Sequence, residues 1–157
     1  MTDAIATDTH VIPPTAAPAA AAKKPVLGNN PYHWGTGRRK TAVARVRIKP
    51  GSGLFKVNNR EVDEFFKVGE YRAAVRTPLT VTDSLKSMDV FVNVRGGGIH
   101  GQADAVVLGL ARALVKANAD YEPKLRAGNL LTRDARKVER KKYGQSGARK
   151  RFQYSKR

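Results

Sequence analysis

The chain of 157 residues contains no cysteine, which excludes disulfide bonds, thiolate chemistry and cysteine-based zinc sites. It also lacks an apolar run long enough to span a bilayer. The N-terminus has neither the basic start nor the apolar stretch of a secretory signal peptide. We therefore expect a soluble cytoplasmic protein with no membrane partner.

Acidic side chains are scarce. The chain has 13 Asp and Glu against 30 Lys and Arg, which gives a formal net charge of +17. Such an excess favours a polyanionic partner, either nucleic acid or an acidic membrane surface. The length is that of one ordinary domain with additional tails.

Residues arranged for catalysis or metal binding are lacking as well. His10, His33 and His100 are far apart in sequence. The acids between residues 61 and 64 do not have the spacing of a calcium-binding loop, and no serine lies in a nucleophile-elbow motif. These absences predict a protein that is not an enzyme and that binds no metal or cofactor.

Composition divides the chain into three parts. Residues 1–31 are rich in Ala, Thr and Pro, with five prolines and no apolar periodicity, which predicts a disordered extension. Residues 32–131 hold the periodic apolar patterns of a globular domain. Residues 132–157 are predicted to form an extended basic tail.

Two segments alternate with the period of a β-strand. The first, over residues 41–49, has apolar side chains at its even positions and three cations among its odd ones. The second, Asp89–Arg95, has valine at every second position. Turn residues at 50–53 follow the first segment, so Leu54–Val57 is predicted to return as its hairpin partner.

Two short helices are predicted between these strands. Asn59 is expected to cap a helix over Arg60–Lys67 that buries apolar residues. A second helix, Glu70–Arg76, should end before Pro78, because the residue preceding a proline avoids the helical conformation.

The most regular helical pattern follows the second strand. Apolar residues at i, i+3 and i+4 predict a helix from about Gly101 to Asn118. A further short helix over Tyr121–Ala127 should end at Gly128. Elements in this order predict a single small α+β domain, in which one mixed sheet is covered by helices on one side.

Three glycines, Gly96, Gly97 and Gly98, join the second strand to the long helix, close to His100. Their backbone N–H groups can approach a phosphate at the start of a helix. The alternative is a tight turn that only glycine can make. The surrounding sequence is neither a P-loop nor a dinucleotide-binding fingerprint.

A run of cations leads into the first strand and continues along it, at Arg38, Arg39, Lys40, Arg45 and Arg47. No acid interrupts this run, whereas most protein surfaces mix both signs. We interpret it as one basic strand face that contacts phosphates, and an ordinary solvated face is the alternative.

The tail is the most basic part of the chain. Residues 133–157 include eleven Lys and Arg against only Asp134 and Glu139. Too few apolar side chains are present for a core, so ordering the tail requires a partner of opposite charge. Tyr143, Phe152 and Tyr154 offer rings on which bases can stack. A solvated basic tail without a specific partner is the alternative.

Four ordered motifs resemble those of bacterial small-subunit ribosomal protein nine. They are GTGRRK at 35–40, GGGIHGQA at 96–103, TRDARKVERKK at 132–142 and QYSKR at 153–157, and the similarity covers about residues 32–157. The resemblance implies a fold similar to domain two of ribosomal protein five. It also implies a place in the head of the small subunit, bound to ribosomal RNA beside neighbouring ribosomal proteins.

In that family the terminal Ser-Lys-Arg reaches the anticodon arm of the transfer RNA in the P site, which implies this role for Ser155, Lys156 and Arg157. The chain differs from many relatives at Ser146 and Gly147, where they are basic, and at Phe152, where they have proline. The expected ribosomal RNA contacts are Arg38, Arg39, Lys40, Arg45, Arg47, Gly96, Gly97, Gly98, His100, Arg133, Arg136, Lys137, Arg140, Lys141, Lys142, Arg149, Lys150 and Arg151.

Two other functions compete with this interpretation. An architectural nucleic-acid-binding protein would have the same charge, but the long helix carries few cations on its exposed face, Arg112 and Lys116. A phosphotransferase would need an acid near the glycine turn, and only Asp104 lies close in sequence.

Overall fold

The computed structural model describes residues 31–155. The predicted disordered extension, apart from its last residue, and the terminal Lys156 and Arg157 lie outside the described residues. The elements are β1 (His33–Arg39), β2 (Ala42–Pro50), β3 (Phe55–Val57), β4 (Arg60–Glu61), α1 (Val62–Phe65), α2 (Gly69–Val81), β5 (Met88–Arg95), α3 (Ile99–Ala117) and α4 (Glu122–Ala127). A 3-10 turn, Ala119–Tyr121, precedes α4.

The five strands form one mixed sheet in the order β1-β2-β5-β3-β4. β2 is antiparallel to both β1 and β5, whereas β3 runs parallel to β5. α3 packs across β1 and β2, and α2 packs against α3. The predicted α+β class, with one small domain and a mixed sheet, is confirmed. Within residues 31–155 no helix is long and apolar enough to cross a membrane.

The predicted alternation of β2 and β5 is confirmed by burial. Every inward side chain of β2 from Ala42 to Ile48 is fully buried, and the valines of β5 are at most 5% exposed. α3 covers them with the apolar face that its periodicity predicts, including the fully buried Leu110 and Leu114. Burial of such side chains contributes about 1.5–3 kcal/mol each for the larger ones.

β1 was not predicted, because the side that it turns toward α3 carries almost no side chains. Gly35 and Gly37 are buried there. A Cβ on Gly35 would collide with the carbonyl oxygen of Gly109, and one on Gly37 with that of Ala105. The glycines let strand and helix backbones approach closely, but they leave no apolar pattern in the sequence.

The predicted hairpin between β2 and Leu54–Val57 is wrong. β5 lies between β2 and β3 and pairs with β2 from Val43↔Arg95 to Pro50↔Met88. The eight residues of β5 match nearly the whole length of β2, which the three-residue β3 is too short to do. The Asp89 carboxylate of β5 also accepts the backbone N–H groups of the turn after β2, so this turn lies against β5 rather than closing a two-strand hairpin.

The cap predicted at Asn59 is also absent. Asn58 and Asn59 both adopt left-handed conformations, with φ of 47° and 68°, and form the turn between β3 and β4. The Asn58 side chain donates to Val94 O and accepts from Val94 N, both at 2.9 Å. The side-chain amide of Asn58 therefore pairs with Val94 in the way that the backbone of a neighbouring strand would. The following helix, α1, starts after Glu61 without a side-chain cap.

α2 continues through Pro78 to Val81, whereas its end was predicted before the proline. Pro78 and Leu79 are buried, and this burial offsets the missing N–H donor. The remaining helices follow the predictions closely, since α3 spans Ile99–Ala117 and α4 ends at Ala127. The left-handed residue after α4 is Asn129, with φ of 55°, rather than Gly128.

Candidate nucleic-acid interface

The face of the sheet opposite the helices is basic and open. We call it the outer face, and it comprises the outward residues of β1, β2 and β5. Its cations are Arg38, Arg45, Arg47, Lys49 and Arg95. These side chains are exposed or half-buried, so a polyanion can reach them without any change in the core.

Asp89 is the one carboxylate among the described outer-face residues, and backbone N–H groups stabilise its charged form. Its Oδ1 accepts hydrogen bonds from the N–H groups of Ser52, Gly53 and Leu54 at 2.8, 3.1 and 3.0 Å. The Leu54 N–H is the largest of the causes that hold the pKa of Asp89 below its ordinary value. Asp89 Oδ2 also lies 3.8 Å from Lys49 Nζ, so this carboxylate offsets one cation and pairs with none of the four outer-face arginines.

Aromatic rings alternate with cations across this face. The register of the strands places Trp34, Arg47 and Phe91 in one row of this face, and Lys56 of the neighbouring β3 continues the row. The Arg47 guanidinium carbon lies 5.4 Å from the Phe91 ring centroid and 5.5 Å from that of Tyr32. These distances are within the range of cation–π attraction, so the rings hold Arg47 in place on the sheet. These rings were not predicted as a group, because the sequence pattern of β1 does not reveal a strand.

Arg39 does not lie on the outer face with Arg38. It is the inward residue at the end of β1 and is only 8% exposed. Its Nε lies 3.3 Å from Asp104 Oδ2, its Nη2 lies 2.8 Å from Asp134 Oδ2, and its Nη1 donates to the carbonyl oxygen of Arg136 at 2.8 Å. We call these four residues the Arg39 cluster. The cluster joins the first residues of the tail to β1 and α3.

The glycine turn has the geometry of a tight strand-to-helix junction. Gly96 and Gly97 have φ of 75° and 67°, and a Cβ on Gly96 would lie 2.7 Å from the carbonyl oxygen of Thr41. Gly98 precedes α3, and no side chain caps its helix. The turn alone therefore explains why glycine is needed at Gly96, and the N-terminal N–H groups of α3 lie beside it.

His100 lies on the first turn of α3, where it packs against Tyr71 with the ring centroids 5.6 Å apart. Its Nε2 is 3.6 Å from Asp104 Oδ2. Asp104 therefore faces both His100 and Arg39. Among residues 31–155, no group of three or more His, Asp or Glu is placed to hold a metal ion.

The described part of the tail, residues 132–155, contains no helix or strand. Asp134 accepts the Arg136 N–H at 2.8 Å and the Arg136 guanidinium, which together with Arg39 lower the pKa of Asp134 to about 2. Glu139 contacts Arg149 Nε at 2.8 Å and Lys142 Nζ at 3.1 Å, and these contacts, Arg149 first, lower its pKa. The two acids of the tail thus organise its course.

The predicted contact residues of the tail are accessible. The six predicted cations without a carboxylate partner in the described structure are exposed: Arg133, Lys137, Arg140, Lys141, Lys150 and Arg151. The rings of Tyr143, Phe152 and Tyr154 are 96%, 69% and 86% exposed. Exposed rings among cations are the arrangement that single-stranded nucleic acid requires.

The model of one protein family, described as ribosomal protein S9/S16, matches residues 37–157. Small ribosomal subunit protein uS9 of Treponema pallidum (strain Nichols) is 59% identical over 123 residues, which cover 78% of this chain and 95% of that protein. The protein of the same name from Anaeromyxobacter sp. (strain K) is 53% identical over 121 residues, 77% of this chain and 93% of the relative. That of Borreliella burgdorferi (strain ZS7) is 49% identical over 135 residues, 86% and 99% of the two chains. The chain belongs to the ribosomal protein S9/S16 family.

Proposed function

We propose that this chain is a structural component of the small ribosomal subunit in the cytoplasm. Its globular domain binds ribosomal RNA in the head of the subunit, and its tail reaches the transfer RNA in the P site. The family consists of structural ribosomal proteins rather than enzymes, and its relatives are named for the small subunit. The observation that carries the proposal is the outer face, whose four arginines have no carboxylate partner in the described structure, since its one acid pairs with Lys49.

The globular domain is proposed to bind phosphates through Arg38, Lys40, Arg45 and Arg47, together with the turn at Gly96–Gly98 and His100. A similar number of tail cations adds to these contacts, so that roughly eight phosphates are neutralised. The logarithm of the binding constant should then fall with the logarithm of salt concentration with a slope of about −6 to −7. Contacts of this kind fix position rather than read sequence.

The tail is proposed to carry Ser155, Lys156 and Arg157 to the transfer RNA. Fifteen extended residues span on the order of 50 Å, which is enough to enter a centre that a globular domain cannot. The Arg39 cluster fixes where the tail leaves the core, and the exposed cations that follow can bind ribosomal RNA along its path.

The test replaces Lys156 and Arg157 with glutamine, which removes two cations without shortening the tail. Assembly into the small subunit should persist, since all described contacts of the core remain. The affinity for P-site transfer RNA on purified subunits should fall by roughly 5- to 30-fold, because each charged hydrogen bond is weakened by solvent and salt. The matched control is the double change Lys23→Gln and Lys24→Gln, which alters the net charge equally. Equal affinities for both variants would contradict the proposed role of the terminus.

Two observations weigh against the competing functions. Arg112 of α3 donates to the carbonyl oxygen of Thr36 at 2.8 Å, so one of the two cations on the exposed face of this helix is partly engaged within the protein. Asp104, the acid that a phosphotransferase would need, is engaged by Arg39. Both arrangements favour RNA binding through the outer face and the tail.

A further inference from the structure

The outer face offers more than positive charge. Beside the row of Trp34, Arg47 and Phe91 lies a depression of about 220 Å³, lined by Val43, Arg45, Asn93, Val94 and Arg95. Its walls therefore combine apolar surface, one amide and two guanidinium groups. Phosphate binding alone needs the guanidinium groups but neither the amide nor the exposed rings.

The amide of Asn93 is available to a ligand. Asn93 is exposed and is the cross-strand neighbour of Arg45, and the described structure gives its side chain no hydrogen-bond partner. An amide both donates and accepts, so it can pair with the edge of a nucleobase. The Watson–Crick edge is open to this contact only in an unpaired base, since in a duplex its groups are engaged.

The exposed ring of Trp34 is a second feature that phosphate binding does not explain. Trp34 is 39% exposed on β1, although it is the largest apolar side chain of the domain. The Arg45 guanidinium carbon lies 5.9 Å from its ring centroid, and Arg45 also lines the depression. Arg45 thus lies between the Trp34 ring and the depression. When two consecutive bases occupy the ring and the depression, the phosphate that links them lies beside Arg45.

The spacing on the sheet fits this arrangement. Trp34 and Thr36 are outward neighbours on β1, and Thr36 pairs with Arg45. Rows of outward side chains are about 6.6–7 Å apart along a strand, a distance that an unstacked single strand can follow. A duplex keeps its bases stacked inside and presents only phosphates and groove edges, so it would leave the Trp34 ring without a base to stack on.

We propose that the outer face binds unpaired nucleotides of RNA, with one base stacked on Trp34 and a neighbouring base in the depression beside Asn93. Arg45 and Arg95 hold the phosphates. This inference rests on the proposed RNA-binding function and specifies the kind of RNA that the face takes. Base stacking on rings and amide contacts to base edges are how sheets bind single-stranded RNA.

The test uses the intrinsic fluorescence of the full chain. Trp34 is the only tryptophan, so its emission reports on the outer face even though the tail binds RNA of any form. The probes are an oligouridine and an RNA hairpin duplex of equal charge. The oligouridine should quench Trp34 strongly, and the duplex should leave the emission unchanged at equal occupancy measured by anisotropy.

Substitutions separate stacking from charge. Trp34→Leu should weaken oligouridine binding by roughly 5- to 100-fold, the effect of losing one stacked base, while the slope against salt stays constant because no cation is removed. Trp34→Phe should restore most of the affinity. Leu85→Ala is the control, since Leu85 is 40% exposed and does not belong to the outer face.

The outcomes distinguish this inference from the function on which it rests. Quenching by duplex as strong as by oligouridine, or unchanged affinity in Trp34→Leu, would overturn the inference and leave RNA binding intact. RNA that binds without altering Trp34 emission at all would likewise overturn it, and would leave the face to a neighbouring protein. Failure of the full chain to bind either RNA would overturn the proposed function itself.

Discussion

Replacing Arg39 with methionine tests whether this arginine is structural, in contrast to Arg38, which is proposed to contact RNA. Arg39 and Arg38 are adjacent in sequence, but they point to opposite faces of β1. All three nitrogens of the Arg39 guanidinium have protein partners, namely Asp104, Asp134 and the Arg136 carbonyl. Methionine keeps the apolar stem of the side chain and removes these three contacts.

The expected loss of stability in Arg39→Met depends on how deeply the partners of Arg39 are buried. A hydrogen bond to a charged group contributes about 1.5–3 kcal/mol when it is buried. The side chains of Asp104 and Asp134 are 36% and 32% exposed, so both carboxylates regain water when Arg39 is lost. We therefore expect Arg39→Met to cost about 2–4 kcal/mol, well below the sum of three buried contacts. For a domain of this size the melting temperature should fall by roughly 10–20 °C.

The assay combines thermal unfolding with RNA binding across a salt series, and Arg38→Met is the matched control. Arg38→Met should leave the melting temperature nearly unchanged and reduce the salt slope by about 0.7–0.9. Arg39→Met should lower the melting temperature and leave the salt slope unchanged, because the charge of Arg39 is already engaged within the protein. A reduced salt slope in Arg39→Met, or equal melting temperatures for the two variants, would refute this division of roles.

Three further predictions follow from the packing and the ion pairs. Gly37→Ala should destabilise the domain by about 3 kcal/mol or more in chemical denaturation, since its Cβ meets the carbonyl oxygen of Ala105. Asp89, whose pKa is lowered, adds stability that is complete above about pH 5 and is lost as the pH falls below about 4. Thermal melts from pH 6 to pH 2 should therefore show a smaller acid loss in Asp89→Asn than in the wild type. Glu139→Gln should speed trypsin cleavage after Arg149, its ion-pair partner, at an unchanged melting temperature of the core.

The parts of the fold that could be predicted have side chains that repeat with the period of their element. β2, β5 and α3 each bury one regular apolar face, and that face is visible in the sequence. β1 packs against α3 through Gly35 and Gly37, which have no side chain and therefore leave no apolar pattern in the sequence. The hairpin prediction failed for a different reason, because local turn residues do not reveal that the distant β5 competes for β2.

Composition indicated which segments of the candidate site are basic, but not which way their side chains point. Counting charges located the basic strand and the tail, but it treated Arg38 and Arg39 as one surface. Period-two alternation assigns them to opposite faces once β1 is recognised. The acids of the tail were counted only as reductions of its charge, whereas Asp134 and Glu139 hold Arg39, Arg149 and Lys142 in the folded chain.

The glycines of β1 connect the core to both proposed RNA-binding surfaces, the outer face and the tail. Because Gly35 and Gly37 let β1 lie directly on α3, the end of β1 brings Arg39 within reach of Asp104 on that helix. Arg39 then extends to Asp134 and fixes the root of the tail. The same strand presents Trp34 and Arg38 outward. Strand alternation therefore holds the outer face and the start of the tail in a constant relative position, so that a chain docked on RNA by its sheet also has the direction of its tail determined.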